Sequence, residues 1–177
     1  MSEEGLRGLY AKIRDVPDFP RAGILFRDIT PLLLDAPRFA RATELMSKPF
    51  EKAAVTRVVA IESRGFLVAA PVALALGAGL VPIRKPGKLP AQRSRVDYEL
   101  EYGTDALEMH SDAVGPRDRV LVVDDVLATG GTAAAADGLV RQHGAEVVGF
   151  SFLIELAALK GRERLLGRRV EALLRYS

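Results

Sequence analysis

The segment Val120–Thr132 constrains the fold of this chain more than any other. Four β-favouring apolar residues lead into Asp124 and Asp125, and a short run of small and hydroxyl residues follows. An alanine-rich stretch, residues 133–136, comes directly afterwards. This order predicts a buried strand, an acidic strand end, a glycine-bearing loop and the first turn of a helix.

Such a unit is typical of a site for a phosphorylated sugar. Ligands of open α/β sheets bind at the carboxyl ends of strands, and a helix N-terminus offers free N–H groups to a phosphate. A structural helix start needs only one acid, and two adjacent carboxylates at a buried strand end repel each other. We therefore interpret Asp124 and Asp125 as acceptors for ribose hydroxyls. The chain contains neither a Walker loop nor a GxGxxG dinucleotide fingerprint.

Alternating strand and helix patterns surround this unit. Strands are predicted at residues 57–61, 80–83, 119–123, 146–154 and 170–175, and helices at 3–14, 35–53, 65–76, 131–142 and 157–166. Residues 15–21 are predicted to form a loop, and residues 96–110 a β-hairpin around Gly103. The alternation predicts an α/β fold with a mainly parallel central sheet flanked by helices. The length of 177 residues suits a single domain over residues 1–177.

Composition argues against several classes of protein. Lys and Arg number 25 against 23 Asp and Glu, and this net charge of +2 is too small to indicate nucleic-acid binding. The absence of cysteine excludes disulfides and fits a reducing compartment. The N-terminus lacks signal-peptide features, and the longest apolar stretch, residues 66–81, is shorter than the roughly 18–20 residues that span a bilayer. We expect a cytoplasmic protein without a membrane partner.

The Val120–Thr132 segment resembles the motif with which type I phosphoribosyltransferases bind 5-phosphoribosyl 1-diphosphate (PRPP). The resemblance implies that Asp124 and Asp125 contact the ribose 2′- and 3′-hydroxyls. It also implies that the following loop binds the 5′-phosphate of PRPP or AMP through backbone N–H and hydroxyl groups. The residues of this phosphate loop are Ala128, Thr129, Gly130, Gly131 and Thr132. The motif does not identify the base.

A second segment, GILFRDITP at residues 23–31, indicates the base. A flat heteroaromatic ligand requires a stacking surface and a few directed hydrogen bonds. The segment resembles the base-binding hood of the adenine-specific members of the family, here residues 1–35. By that resemblance Phe26 stacks on adenine, Leu25 reads its edge through backbone groups, and Arg27 lies against it. The alternative is that these apolar residues belong to the core.

The segment IESRGF, residues 61–66, again lies between a strand and a helix. Its N–H groups and Arg64 suit an anion, and a helix cap by Ser63 is the structural alternative, which is compatible with it. The resemblance implies that this loop binds pyrophosphate and contains a non-proline cis peptide near Glu62–Ser63. The predicted pyrophosphate-binding residues are Glu62, Ser63, Arg64, Gly65, Arg84, Lys85 and Lys88.

Residues 84–95 carry five basic side chains and no acidic one. A solvated surface is the simplest interpretation of such a run. Together with YELEYG at residues 98–103, however, the run resembles the mobile catalytic loop of adenine-specific phosphoribosyltransferases, here a β-hairpin lid over residues 84–110. The resemblance implies that Glu101 donates or accepts a proton near adenine N7 and that Tyr102 lies near the diphosphate. Arg64 completes the predicted catalytic set.

The resemblance thus implies a purine salvage enzyme that converts adenine and PRPP to AMP and pyrophosphate. It implies Mg²⁺ as cofactor, held mainly by substrate oxygens with Asp124 and Asp125 nearby, and a homodimer. Two alternatives stay open from the residues. One is a phosphoribosyltransferase for xanthine, guanine or orotate. The other is a PRPP-sensing DNA-binding regulator, which would require an added helix-turn-helix and a basic groove.

Overall fold

The structure is a computed structural model that describes residues 3–99 and 104–177. It divides into two compact units, Met1–Glu44 and Leu45–Ser177. The single domain over residues 1–177 therefore stays a prediction.

The first unit is built from short elements. These are α1 (Glu3–Tyr10), β1 (Arg14–Val16), β2 (Phe26–Asp28), α2 (Thr30–Leu33) and most of α3 (Ala36–Ser47). The prediction of a loop over residues 15–21 is wrong at its start, because residues 15 and 16 belong to β1. The segment at residues 23–31 is not purely loop either, since it contains β2, which pairs antiparallel with β1. The predicted helix over 35–53 ends at Ser47, since Pro49 supplies no N–H and a 3₁₀ turn follows.

The second unit holds the central sheet. Its elements are β3 (Arg57–Ile61), α4 (Gly65–Leu76), β4 (Gly79–Ile83), the hairpin strands β5 (Arg93–Glu99) and β6 (Thr104–His110), β7 (Arg119–Leu127), α5 (Gly131–Gln142), β8 (Glu146–Leu156) and β9 (Val170–Tyr176). Five parallel strands lie in the order β4-β3-β7-β8-β9. The predicted α/β fold, a mainly parallel sheet flanked by helices, is confirmed.

Burial of the middle strands on both faces explains why their sequences are continuously apolar. Residues 149–155 of β8 are all buried. The Phe150 and Phe152 rings stack with centroids 6.4 Å apart on one face of that strand. The crossovers through α4 and α5 run in opposite directions along the sheet. Because such crossovers are right-handed, α4 and α5 cover opposite faces.

Two boundaries differ from the predictions for this unit. The strand predicted at 119–123 continues to Leu127, because β7 pairs with β8 as far as Leu127 and Glu155. Ladder hydrogen bonds there outweigh the low β-propensity of aspartate. The helix predicted at 157–166 is a pair of 3₁₀ turns, Ala157–Leu159 and Gly161–Leu165.

Helix α4 is apolar on every side. Val68, Ala69 and Val72 are buried, yet Leu67 and Leu74 on the opposite side are 50% and 85% exposed. A helix of this kind in a globular protein is normally covered all round. Within the described residues, no helix has both the length and the apolarity to cross a bilayer.

The packing of β8 predicts the effect of a single methyl group. A Cβ atom on Gly149 would lie 2.5 Å from Cε1 of the fully buried Phe50 ring and 3.1 Å from the Arg169 carbonyl oxygen. We expect Gly149→Ala to lower the free energy of unfolding by about 1–3 kcal/mol in urea denaturation. The control is Gly138→Ala in α5, where the new Cβ meets nothing within 4 Å and we expect a gain of about 0.5–1 kcal/mol. Equal effects of the two substitutions would contradict this packing.

Candidate active site

The site forms where two neighbouring parallel strands send the chain in opposite directions. Strands β3 and β7 pair from Arg57–Val120 to Ala60–Val123. Beyond β3 the chain crosses to β4, and beyond β7 it crosses to β8, so a topological switch point lies between them. The two predicted anion-binding loops therefore lie side by side.

Gly65 permits this close approach. A Cβ atom at this position would lie 2.5 Å from Oδ1 of Asp124, so a larger residue would push the two loops apart. The peptide bond between Glu62 and Ser63, in the same loop, is cis, as predicted. Arg64 Nε lies 2.8 Å from Oδ2 of Asp125 and joins the loops electrostatically.

The loop after β7 has the geometry of an anion site. Gly130 has a φ of +80°, and α5 begins with Gly131. The first N–H to enter the helical pattern is that of Ala134, which donates to Gly130 O at 2.9 Å. In the described part of the chain, no backbone carbonyl accepts from the N–H groups of residues 129–132. These N–H groups are therefore available to donate hydrogen bonds to a ligand.

A small pocket of about 60 Å³ lies at this loop. Its lining includes most of the predicted phosphate loop together with one of the paired acids. The lining residues are Asp124, Val126, Leu127, Ala128, Thr129, Gly130, Thr132, Ala133 and Phe152. The structure thus places four of the five predicted phosphate-loop residues and Asp124 around one cavity, whereas Gly131 and Asp125 are not part of its lining. Their contacts with a ligand stay a prediction.

Gly161, which the sequence analysis did not single out, lies against the back of this loop. A Cβ on Gly130 would lie 2.3 Å from the Gly161 carbonyl oxygen, and a Cβ on Gly161 would lie 2.2 Å from that of Ala128. Only glycine fits at either position. The contact joins residues far apart in the chain, so neither local motif nor periodicity could indicate it.

The paired aspartates lie inside β7 rather than after it, which corrects the predicted strand end. Asp124 is half-buried, and Asp125 is 6% exposed. Burial, reinforced by the charge of Asp125, raises the pKa of Asp124 well above its ordinary value. Burial also raises the pKa of Asp125, although the Arg64 guanidinium opposes this rise. A cation or ribose hydroxyls beside the pair would relieve this repulsion.

The basic loop meets an acid that lies on the predicted pyrophosphate loop. The Glu62 carboxylate accepts hydrogen bonds from Arg84 Nη2 at 3.1 Å, Lys88 Nζ at 2.8 Å and the Lys85 N–H at 3.0 Å. Burial alone would raise the pKa of Glu62, but these donors outweigh it and lower the pKa to about 2. The side chains of Arg84 and Lys88 and the backbone N–H of Lys85 therefore converge on Glu62, and their role in binding pyrophosphate stays a prediction.

The hairpin is tied to the phosphate loop through residues that we did not predict. Lys85 Nζ pairs with Asp105 and lies 3.2 Å from Tyr98 Oη. Tyr98 Oη is in turn 3.5 Å from Thr132 Oγ1 in the phosphate loop. Alternation along β5 and β6 could have placed Tyr98 and Asp105 on the same face.

The remaining predicted residues belong to the first unit or fall outside the described residues. Glu101 and Tyr102 lie outside the described residues. Leu25, Phe26 and Arg27 lie in the first unit. There Leu25 is 45% exposed, the Phe26 ring packs edge-on against Phe19 at 5.1 Å, and Arg27 pairs with Asp15. Their adenine-binding role stays a prediction.

Comparison with known proteins identifies the class. A family model for the phosphoribosyl transferase domain matches residues 33–169. Adenine phosphoribosyltransferase from Myxococcus xanthus is 56% identical over 168 residues, which is 95% of this chain and 91% of that protein. The corresponding protein of Acidothermus cellulolyticus is 58% identical over 165 residues, 93% of each chain.

Solved structures give the same result. A crystal structure of adenine phosphoribosyltransferase from Rhodothermus marinus has a TM-score of 0.95 at 50% identity and covers 99% of this chain and all of that one. The Saccharomyces cerevisiae enzyme, solved with adenine and an iminoaltritol bisphosphate, has a TM-score of 0.90 at 40% identity, covering 98% and 100%. The chain belongs to the phosphoribosyltransferases and, within them, to the adenine phosphoribosyltransferase family.

The raised pKa of Asp124 predicts that this residue lowers stability. When the pKa of a carboxyl group is higher in the folded state than in the unfolded state, the fold loses stability as the pH rises above the unfolded-state pKa. At pH 7 we expect Asp124→Asn to increase the free energy of unfolding by about 0.5–2 kcal/mol. The gain should shrink as the pH falls into the range where Asp124 is protonated. Urea denaturation at a series of pH values measures both effects.

Asp118→Asn provides a control of opposite sign. Burial would raise the pKa of Asp118, but hydrogen bonds from Thr56 Oγ1 and the Gly115 N–H outweigh it and lower the pKa. The charge of Asp118 therefore stabilises the fold at neutral pH, and this contribution is lost as the pH falls. We expect Asp118→Asn to destabilise the protein at pH 7. A loss of stability in both variants would contradict the assignment for Asp124.

Proposed function

We propose that this chain transfers the 5-phosphoribosyl group of PRPP to adenine, giving AMP and pyrophosphate in purine salvage. The observation that carries the proposal is the loop beside Asp124 at the switch point of the sheet. Among the described residues, no backbone carbonyl accepts from the N–H groups of residues 129–132 in this loop. Relatives more than half identical over nearly the whole chain are adenine phosphoribosyltransferases. This favours adenine over xanthine, guanine or orotate, and an enzyme over a DNA-binding regulator.

The substrate PRPP is assigned as follows. Its 5′-phosphate occupies the pocket at residues 128–132, and its 2′- and 3′-hydroxyls donate to Asp124 and Asp125. The diphosphate lies beside residues 62–65 and is neutralised by Arg64 and the basic loop. The convergence of Arg84, Lys85 and Lys88 on this edge of the sheet supports the assignment. Leu25, Phe26 and Arg27 of the hood receive the adenine.

The chemistry is a displacement at the anomeric carbon. The C1–O bond to the diphosphate breaks, and its electron pair leaves with the diphosphate. Adenine N9 forms the new bond to C1 with its lone pair, and the proton on N7 passes to Glu101, the proposed acceptor. Tyr102 is proposed to lie near the diphosphate. Catalysis requires alignment of base and sugar and stabilisation of the leaving charge. Because water also attacks an oxocarbenium-like sugar, the 84–110 segment is proposed as the lid.

Mg²⁺ fits the acids of this site. Carboxylate oxygens are hard donors, and the mutual repulsion of Asp124 and Asp125 favours a neighbouring cation. We propose that the ion is held mainly by PRPP oxygens with these two residues nearby. When bound, it neutralises diphosphate charge. The lack of cysteine supports a cytoplasmic location for this reaction.

We further propose a homodimer in which α4 is covered by a second copy. Helix α4 directly follows Arg64, and its outward residues Leu67 and Leu74 would otherwise remain in water. Exposed apolar surface of this kind marks an interaction face. Leu80 on edge strand β4, the strand that follows α4, is also 44% exposed.

Sedimentation velocity tests this interface. Leu74→Glu places a charge in the proposed contact, and we expect the dimer to dissociate at micromolar concentration. Leu166→Glu is the matched control, because Leu166 is 82% exposed but lies beyond α4 in the loop before β9. This variant should sediment like the wild type. Identical behaviour of the two variants would refute α4 as the dimer face.

A base panel tests the reaction itself. Purified protein with PRPP and Mg²⁺ should form a nucleotide from adenine and much less from hypoxanthine, guanine, xanthine or orotate, as measured by chromatography. Asp125→Asn should reduce turnover about 10²–10³-fold, by analogy with loss of one transition-state donor, while its circular dichroism stays native. No product with any base would defeat the proposal, and PRPP-dependent gel shift of DNA would favour a regulator.

A further inference from the structure

Three nitrogen donors of the basic loop converge on one carboxylate. Glu62 Oε1 accepts from Arg84 Nη2 and Lys88 Nζ, and Oε2 accepts from the Lys85 N–H, at 2.8–3.1 Å. The Glu62 side chain is only 10% exposed, whereas those of Arg84 and Lys88 are 33% and 48% exposed. The acid is therefore fixed in place, and the cations reach towards it from the solvent side.

An ionised carboxylate is not a plausible ligand of diphosphate. It offers acceptors only, and its negative charge repels another anion. The three donors gathered around Glu62 nevertheless have the chemistry that a phosphate oxygen requires, namely charged or backbone N–H groups at hydrogen-bonding distance. Glu62 presents to them two anionic oxygens, much as one end of a diphosphate would.

The other cations near the site are paired with other acids. Arg64 is paired with Asp125, and Lys85 Nζ with Asp105 and Tyr98. Glu108, also buried, accepts the Gly87 N–H at 3.0 Å and lies 3.1 Å from Arg93 Nε. Glu62 differs from these acids because it belongs to the pyrophosphate loop itself and binds three donors of the basic loop at once.

We propose that Glu62 is a positioning residue that holds the place of the diphosphate between turnovers. Its carboxylate keeps Arg84, Lys88 and the Lys85 N–H converged, and the entering diphosphate takes Arg84 and Lys88 from it. When the product pyrophosphate leaves, Glu62 binds the two cations again. This inference rests on the proposed function, which assigns the diphosphate to the same cations.

The exchange has opposite effects on affinity and on release. Diphosphate binding must replace two existing ion pairs, so the free energy of binding is less favourable than it would be with unpaired cations. Release is faster for the same reason, and release limits turnover in many enzymes with a closing lid. Glu62 therefore weakens pyrophosphate binding and speeds its departure. A simple ligand or a purely structural residue would strengthen binding instead.

Calorimetric titration with pyrophosphate and Mg²⁺ distinguishes these roles. Glu62→Gln keeps the shape of the side chain but removes its charge. We expect its Kd for pyrophosphate to be about three- to tenfold lower than that of the wild type, because partly exposed ion pairs contribute modestly. In steady state we expect kcat to fall while kcat/KM for PRPP is maintained or rises. Unchanged or weaker pyrophosphate binding would overturn the proposal.

Two further variants secure the result. Glu108→Gln removes a buried glutamate that also holds this segment through Gly87 and Arg93, and its Kd for pyrophosphate should match the wild type. Equal tightening in both variants would mean that any loosening of the segment suffices, which excludes a specific role for Glu62. Glu62→Asp keeps the charge on a side chain one methylene shorter, so we expect a smaller tightening. This variant decides the question if Glu62→Gln does not fold.

The titration also separates this inference from the proposed function. If the wild-type protein does not bind pyrophosphate at all, the diphosphate assignment fails, and Glu62 has no ligand whose place it could hold. If the wild type binds and neither Glu62 variant binds more tightly, only the role of Glu62 is refuted.

Discussion

The parallel pairing of β3 with β7 is the interaction on which the rest of the site depends. Backbone hydrogen bonds between these strands fix the two loops that follow them at one edge of the sheet. The crossovers then diverge, so neither helix covers the space between the loops. Gly65 allows the loops to approach until only a hydrogen atom separates its Cα from the Asp124 carboxylate. Everything else at the site is attached to this frame.

Charge balance is the second constraint. Several cations gather at the candidate site, and without counter-charges they would repel one another. The described structure provides a carboxylate for each of the main ones, including Asp125 for Arg64, Asp105 for Lys85 and Glu62 for Lys88. The acids keep the cations in place at little net charge. By the proposal above, an entering anion would take these cations from their carboxylates.

The sequence predicted what local chemistry determines. The strand, acid pair, glycine loop and helix at 120–142 require neighbouring residues only, and the structure places them as expected apart from the longer β7. The cis peptide at Glu62–Ser63 followed from the family resemblance. Tertiary pairing decided the rest: β1 and β2 are strands only because they pair with each other, and Asp124 lies in a strand because β8 continues beside it. No local pattern records such contacts.

The contact between Gly130 and Gly161 limits which amino-acid substitutions this chain can accept. The two 3₁₀ turns after β8 have the composition of an ordinary surface connection, where replacements are usually harmless. One carbonyl in that connection nonetheless fills the space behind Gly130. A Cβ atom at position 161 would in turn lie 2.2 Å from the Ala128 carbonyl oxygen and within 3.0 Å of the Leu127 side chain, so this connection is held to glycine at position 161.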